Sequence, residues 1–297
     1  MPVFRFRSCI AMVLVALAAC RAAERASLPA GGLRDDYGTP IAITQPPKRI
    51  VSLNPTTTEI LFAIGAGGRV VGRSQYDVFP DSAALVPSVG AALRPNIESV
   101  LAVHPDLVIL YASQDNRPAL DRLRQAGITT VGFKIDSIEQ FEHDTRLLGI
   151  LTGDSARAST VADTVAATLA RVRTATANLP RPTVFIEAWE RPIIAIGGGS
   201  FLSELLDIAG ARNIYADIRA PSATVTLEDV VQRNPDFVLV SPVSAPAMRA
   251  SESWNAVPAV RAGRLLVYDT ALVGRPSVLL GAAAVSLANL IHPGAVR

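Results

Sequence analysis

From Lys48 onward, short apolar runs alternate with longer stretches in which apolar residues recur at helical spacing. Ile50–Leu53, Val70-Val71, Leu107–Leu110 and Thr129–Phe133 are four to five residues or fewer and rich in Val, Ile and Leu, as are Val184–Ala188, Phe237–Val240 and Leu265–Tyr268. Runs of that length, separated by amphipathic segments such as Thr58–Ile64 and Ile97–Val103, predict βαβ units and a mostly parallel, helix-covered sheet. Asp154–Leu179 carries Val161, Val165, Leu169 and Val172 on one helical stripe and is closed by Pro180 and Pro182, so one long helix is expected there. The expectation is an α/β chain with an N-terminal lobe over 33–153, a connecting helix over 154–180 and a C-terminal lobe over 181–297.

An internal repeat supports two related lobes. Asn96-Ile97-Glu98-Ser99-Val100 leading to His104-Pro105-Asp106-Leu107-Val108 matches Thr226-Leu227-Glu228-Asp229-Val230 leading to Asn234-Pro235-Asp236-Phe237-Val238. In each copy a capping residue and a Glu open a helix, Pro-Asp follows its end, and an apolar strand begins. A second pair agrees: Thr58-Glu59-Ile60-Leu61 before Gly65-Ala66, and Ser203-Glu204-Leu205-Leu206 before Gly210-Ala211. A single stiff connection leaves a cleft facing both lobes, at the carboxyl ends of parallel strands where such sheets bind ligands.

The first residues change the picture of where the protein works. Arg5 and Arg7 precede an apolar run from Ile10 to Ala19 that ends in Leu17-Ala18-Ala19-Cys20, which predicts a lipoprotein signal peptide over 1–19 and lipidation of Cys20. Cys9 is lost with the signal, so Cys20 keeps no disulfide partner. Residues 20–32, rich in Ala, Ser, Pro and Gly, are expected to form a tether from the membrane, placing the body in the periplasm or at the cell surface. Removing the signal leaves 28 − 2 = 26 basic residues against 26 acidic ones. A neutral body of this kind does not suit nucleic-acid binding.

With these features the chain resembles the substrate-binding proteins of ATP-driven importers for cobalamin, ferric siderophores and haem. The resemblance rests on Asp36-Tyr37-Gly38, Pro47-Lys48-Arg49-Ile50-Val51-Ser52-Leu53-Asn54-Pro55, Thr58-Glu59-Ile60-Leu61, Val70-Val71-Gly72, Asn96-Ile97-Glu98, Pro105-Asp106-Leu107-Val108 and Pro258-Ala259-Val260-Arg261-Ala262-Gly263-Arg264. It implies two Rossmann-like lobes joined by a single long α-helix, a monomer that delivers its ligand to an ABC permease with ATPase subunits, and no catalysis. It also implies that Glu98 and Glu228 dock on arginines of the permease. A first-turn Glu is independently stabilised by the helix dipole.

For the ligand, the three histidines His104, His143 and His292 are too scattered for a metal cage, so a preformed metal chelate is expected rather than a bare ion or a resident cofactor. Tyr76, Tyr111 and Trp189 follow or end strands and offer aromatic faces. Arg275 matches an arginine that contacts ligand in cobalamin binders. Three tryptophans that line the pocket of such binders fall at Ala92, Tyr111 and Ser222, so ferric siderophore and haem stay open beside cobalamin. A different class, a nucleotide- or phosphate-using α/β enzyme, is prompted by Gly197-Gly198-Gly199-Ser200 at a helix start, although neither the dinucleotide fingerprint nor the P-loop is complete. A structural or adhesive lipoprotein is a third reading.

Overall fold

The computed structural model describes residues 33–296. The expected signal peptide, Cys20 and the 20–32 tether lie outside the described residues.

The N-terminal lobe is built on a four-stranded sheet of order β2-β1-β3-β4, in which β1 is Ile50–Leu53, β2 Val70–Arg73, β3 Leu107–Tyr111 and β4 Thr129–Phe133. All three pairings are parallel, with Ile50 opposite Leu107 and Leu107 opposite Thr129. The continuous apolar runs follow from this: both faces of β1 and β3 are covered, and Ile50, Val51, Leu53 and Leu107 to Leu110 are fully buried. In the C-terminal lobe, β5 (Thr183–Trp189), β9 (Phe237–Val240) and β10 (Leu265–Val267) are parallel, and the two-residue β7 (Arg212–Asn213) joins β5. Two further strands, β6 (Ile194–Ile196) and β8 (Ser222–Thr224), extend this sheet antiparallel to their neighbours. The sequence pattern did not predict β6, β7 or β8.

The repeat has a structural cause. Asn96 and Thr226 cap their helices by accepting from the amides of Ser99 and Asp229 at 3.1 and 3.2 Å. His104 and Asn234 then adopt left-handed backbone, φ 46° and 43°, to turn the chain. The following Asp anchors the start of the neighbouring strand. Asp106 accepts from the amides of Lys48 and Arg49 at 2.8 and 3.0 Å, and Asp236 accepts from the amide and hydroxyl of Thr183, both at 2.8 Å.

The chain passes between the lobes in the Ser155–Thr176 helix. Ala158, Ala162, Val165, Leu169 and Val172 are buried along it, against the Ile138–Thr152 helix of the first lobe and the Leu280–Ile291 helix of the second. Close approach is allowed by small residues: a Cβ on Gly149 would lie 2.3 Å from that of Ala158. One continuous apolar core runs from Ile60 and Phe141 through this helix to Leu205 and Leu287, and each sheet has a second core on its outer face.

Candidate binding cleft

A cleft of about 410 Å³ opens between the lobes. One wall comes from the carboxyl ends of β1, β3 and β4 and the residues that follow them: Asn54 with the start of the Pro55–Ala63 helix, Tyr111, Ile135 and Asp136. The other comes from Ser200, Phe201, Pro221 and the loop 274–276. The volume and the mixture of apolar faces with few polar groups suit a small-molecule site.

Each polar group is held by its own lobe or by the facing one. Asn54 caps the Pro55–Ala63 helix by accepting from the amide of Thr56 at 3.1 Å, and donates to the carbonyl of Phe133 at 3.4 Å. The Tyr111 hydroxyl donates to both oxygens of Asp136, at 2.9 and 3.0 Å, and burial with that hydrogen bond pushes the phenol pKa upward. Gln140 accepts from the Asp136 amide at 2.9 Å and Lys134 stands 3.8 Å from its carboxylate, so the acid is fixed at the mouth of the cleft. Arg275, from the loop before the last helix, crosses the cleft floor to Glu59 on the Pro55–Ala63 helix. Its Nε donates to Oε1 of Glu59 at 2.6 Å, and its Nη2 also pairs with that oxygen.

Glu59 is fully enclosed, 1% exposed, and its Oε2 has no hydrogen-bond partner. Burial raises its pKa, against the lowering effects of Arg275 and Ser277. Beneath it lies a buried polar network in which the Thr58 hydroxyl donates to Asp77 at 2.6 Å and lies 2.8 Å from the Ser52 hydroxyl, and Ser74 donates to the other oxygen of Asp77. Burial pushes Asp77 up as well. Ser74 also accepts from the amide of Tyr76 at 3.2 Å, so the anchored loop presents Tyr76 outward.

The structure thus brings Tyr111 and Arg275 together in the cleft. Tyr76 and Trp189 stand outside its wall, 59% and 62% exposed, with the Trp189 indole donating to the carbonyl of Arg191 at 3.0 Å. Of the three positions aligned with pocket tryptophans, Tyr111 alone lines the cleft; Ala92 uses its carbonyl to accept from Asn116 at 3.1 Å, and Ser222 belongs to β8. Glu98 and Glu228 are exposed in the first turns of the Ile97–Leu101 and Leu227–Arg233 helices. Sequence reading missed Asp136 and the role of Glu59. Asp136 had a signal, because it lies just beyond the carboxyl end of a parallel strand. Glu59 had one too, as a charged residue directly before Ile60 and Leu61 in a segment that follows the carboxyl end of a strand.

The glycine run has a packing role. The amides of Gly197 and Gly198 donate to the carbonyls of Pro221 and Ile218 at 2.9 and 2.7 Å, and Ser200 donates to Gly197 at 3.3 Å. A Cβ on any of the three glycines would lie 2.1 to 2.3 Å from a backbone oxygen of the 216–220 segment. These amides are spent on the chain itself and do not form an anion cradle, while the turn delivers Ser200 and Phe201 to the cleft.

Two α/β lobes on one helix, with a cleft at the carboxyl ends of their strands, define a solute-binding protein of the bilobal type, and residues 50–272 match the periplasmic binding protein family, to which this chain belongs. It is 30% identical over 261 residues to an ABC transporter substrate-binding lipoprotein of Bacillus subtilis, covering 85% of this chain and 82% of the relative. It is 28% identical over 210 residues to the vitamin B12-binding protein of Yersinia pestis, covering 71% and 75%. The periplasmic vitamin B12 binding protein of Vibrio cholerae superposes with a TM-score of 0.73 at 26% identity, over 83% of this chain and 97% of that one.

Proposed function

We propose that this chain is the extracytoplasmic solute-binding component of an ABC importer, anchored through lipid on Cys20, which captures a cobalamin or similar metal chelate and hands it unchanged to a permease. The observation that carries this reading is the interlobe cleft, where Tyr111 and Phe201 offer aromatic surface from opposite lobes and Asn54, Asp136 and Arg275 offer fixed polar groups. Tyr76 and Trp189, whose rings are exposed outside the cleft wall, are the candidates for further aromatic contact with a chelate larger than the cleft. The likeness to vitamin B12-binding proteins supports a corrinoid; a ferric siderophore or haem is the second reading.

Titration of the full chain in detergent, followed by tryptophan fluorescence and calorimetry, tests the proposal against cobalamins, haem and ferric siderophores. Trp254 is buried and stacked on Phe185 at 5.8 Å, so the exposed Trp189 is the reporter. Saturable one-to-one binding of a cobalamin is expected, with the ligand recovered intact. Binding of a ferric chelate instead would move the protein to iron uptake, and turnover of any ligand would make it an enzyme.

The same reading gives Glu98 and Glu228 the role of docking on the permease, one carboxylate per lobe against a two-fold partner. Glu98→Arg together with Glu228→Arg is expected to leave ligand affinity unchanged and to weaken attachment to the cognate permease by about tenfold or more, a loss of ~1.4 kcal/mol. Undiminished attachment in a pull-down with that permease would refute the docking role.

A further inference from the structure

We infer that Glu59 is a specificity residue: by pairing with Arg275 from behind the cleft, it cancels the cation that an anionic ligand would need, so the cleft selects chelates whose rim is uncharged. This inference rests on the chelate-binding reading of the cleft and assigns the selection to a residue that does not line it.

The charges around the cleft support it. Among the described residues that line the cleft, Arg275 is the sole cation, and it is 32% exposed. Its guanidinium is directed at Glu59, with two nitrogens on one carboxylate oxygen. Glu59 belongs to the first lobe and Arg275 to the second, so the pair also spans the cleft floor. The other charged lining residue is an acid: Asp136 holds two acceptor oxygens at the mouth, engaged by Tyr111 and flanked by Lys134. No lining cation is left without a carboxylate.

A ligand carboxylate entering such a site would lose its hydration and meet either an arginine already neutralised or the Asp136 carboxylate, which repels it. An amide of the same shape would lose less on desolvation and could donate to Asp136 while accepting from the free face of Arg275. Rejection by an unmet charge is a stronger discriminator than added apolar contact.

The test is a matched pair of probes: cyanocobalamin and its separated isomeric monocarboxylates, in which one peripheral amide is replaced by a carboxylate of nearly equal size. The full chain is expected to prefer the amide over the most disfavoured isomer by about tenfold or more, and Glu59→Gln, which keeps the acceptor for Arg275 but removes the charge, is expected to bring that ratio towards one. Glu59→Gln together with Arg275→Gln guards against a failure of the first variant to fold, because it leaves no buried charge of this pair without its partner. With the cation gone there is nothing for Glu59 to cancel, so this double variant should keep the preference for the amide. An unchanged ratio in Glu59→Gln, or a ratio near one in the double variant, would overturn the inference while leaving the chelate reading standing. Failure of the unaltered protein to bind any of these probes would overturn the corrinoid reading and the inference with it.

Discussion

Asp144 shows how much a single buried carboxyl can set the behaviour of the first lobe. It is 1% exposed on the Ile138–Thr152 helix, its Oδ2 has no partner, and burial together with the Asp36 carboxylate raises its pKa from 3.8 to about 8. The folded state therefore keeps a proton that the unfolded chain releases. Stability from this group is full below about pH 4 and is lost as pH rises towards 8, with a slope of up to ~1.4 kcal/mol per pH unit. Asp144→Asn should flatten this part of the profile: urea midpoints measured between pH 5 and 9 are expected to fall less for the variant, which should be the more stable form at pH 9. A parallel fall in both proteins would show that Asp144 is not the source. Sequence alone could place Tyr111 and Arg275 in the cleft because strand ends and a family likeness mark them. It could not separate Glu59 from Glu204, which share one motif. Only the fold shows that Glu59 is enclosed opposite Arg275, while Glu204 is exposed near Arg173.

At the scale of elements, the strands that were legible are those whose own residues specify them. β1, β2, β3, β4, β5, β9 and β10 each carry an apolar run of their own, and a run of that kind is readable without knowing its neighbours. β8 is Ser222-Ala223-Thr224 and β7 only Arg212-Asn213; their pairing is imposed by β6 and β5, so no local pattern announces them. The glycine run belongs to the same corner. Gly198→Ala would drive a methyl to 2.3 Å from the carbonyl oxygen of Ala216, and the backbone on both sides is hydrogen-bonded. A loss of about 1–3 kcal/mol is expected from such overpacking, together with weaker ligand binding because Phe201 is displaced, read by thermal unfolding and titration. The strand-entry aspartates carry a second expectation. Asp106→Ala and Asp236→Ala each remove two hydrogen bonds, at a cost of about 1 kcal/mol per bond. The two losses should add within ~0.5 kcal/mol, since the sites belong to different lobes and share no partner. Coupling well beyond that in a double-mutant cycle would mean that the two strand entries communicate through the shared core.

For the whole molecule, the question is how far the lobes move when ligand enters. The single Ser155–Thr176 helix was readable from its stripe of Val161, Val165, Leu169 and Val172, but its packing was not, because the burial against the Leu280–Ile291 helix joins residues more than a hundred positions apart in sequence. That packing opposes wide hinge bending. Opening the lobes by a large angle would separate apolar side chains in the core that runs from Phe141 through Leu169 to Leu205 and Leu287, exposing surface at ~25 cal/mol per Å². Such an opening would also pull Arg275 from the enclosed Glu59 and leave a buried charge without its partner, which typically costs about 3–5 kcal/mol. Both terms act on the same coordinate, and one stiff helix lacks the several strand linkers that let other bilobal proteins fold about a hinge. Ligand entry is therefore expected to adjust the Asn54 turn and the loop 274–276 rather than to swing the lobes. Small-angle scattering of the protein with and without saturating ligand should give radii of gyration equal within ~0.5 Å, on the scale of the sub-ångström to 1 Å shifts of pre-organised complexes. Glu59→Gln together with Arg275→Gln, which removes the cross-cleft pair, should leave that equality intact if the shared core is the dominant restraint; a radius that grows only in the variant would transfer the restraint to the ion pair.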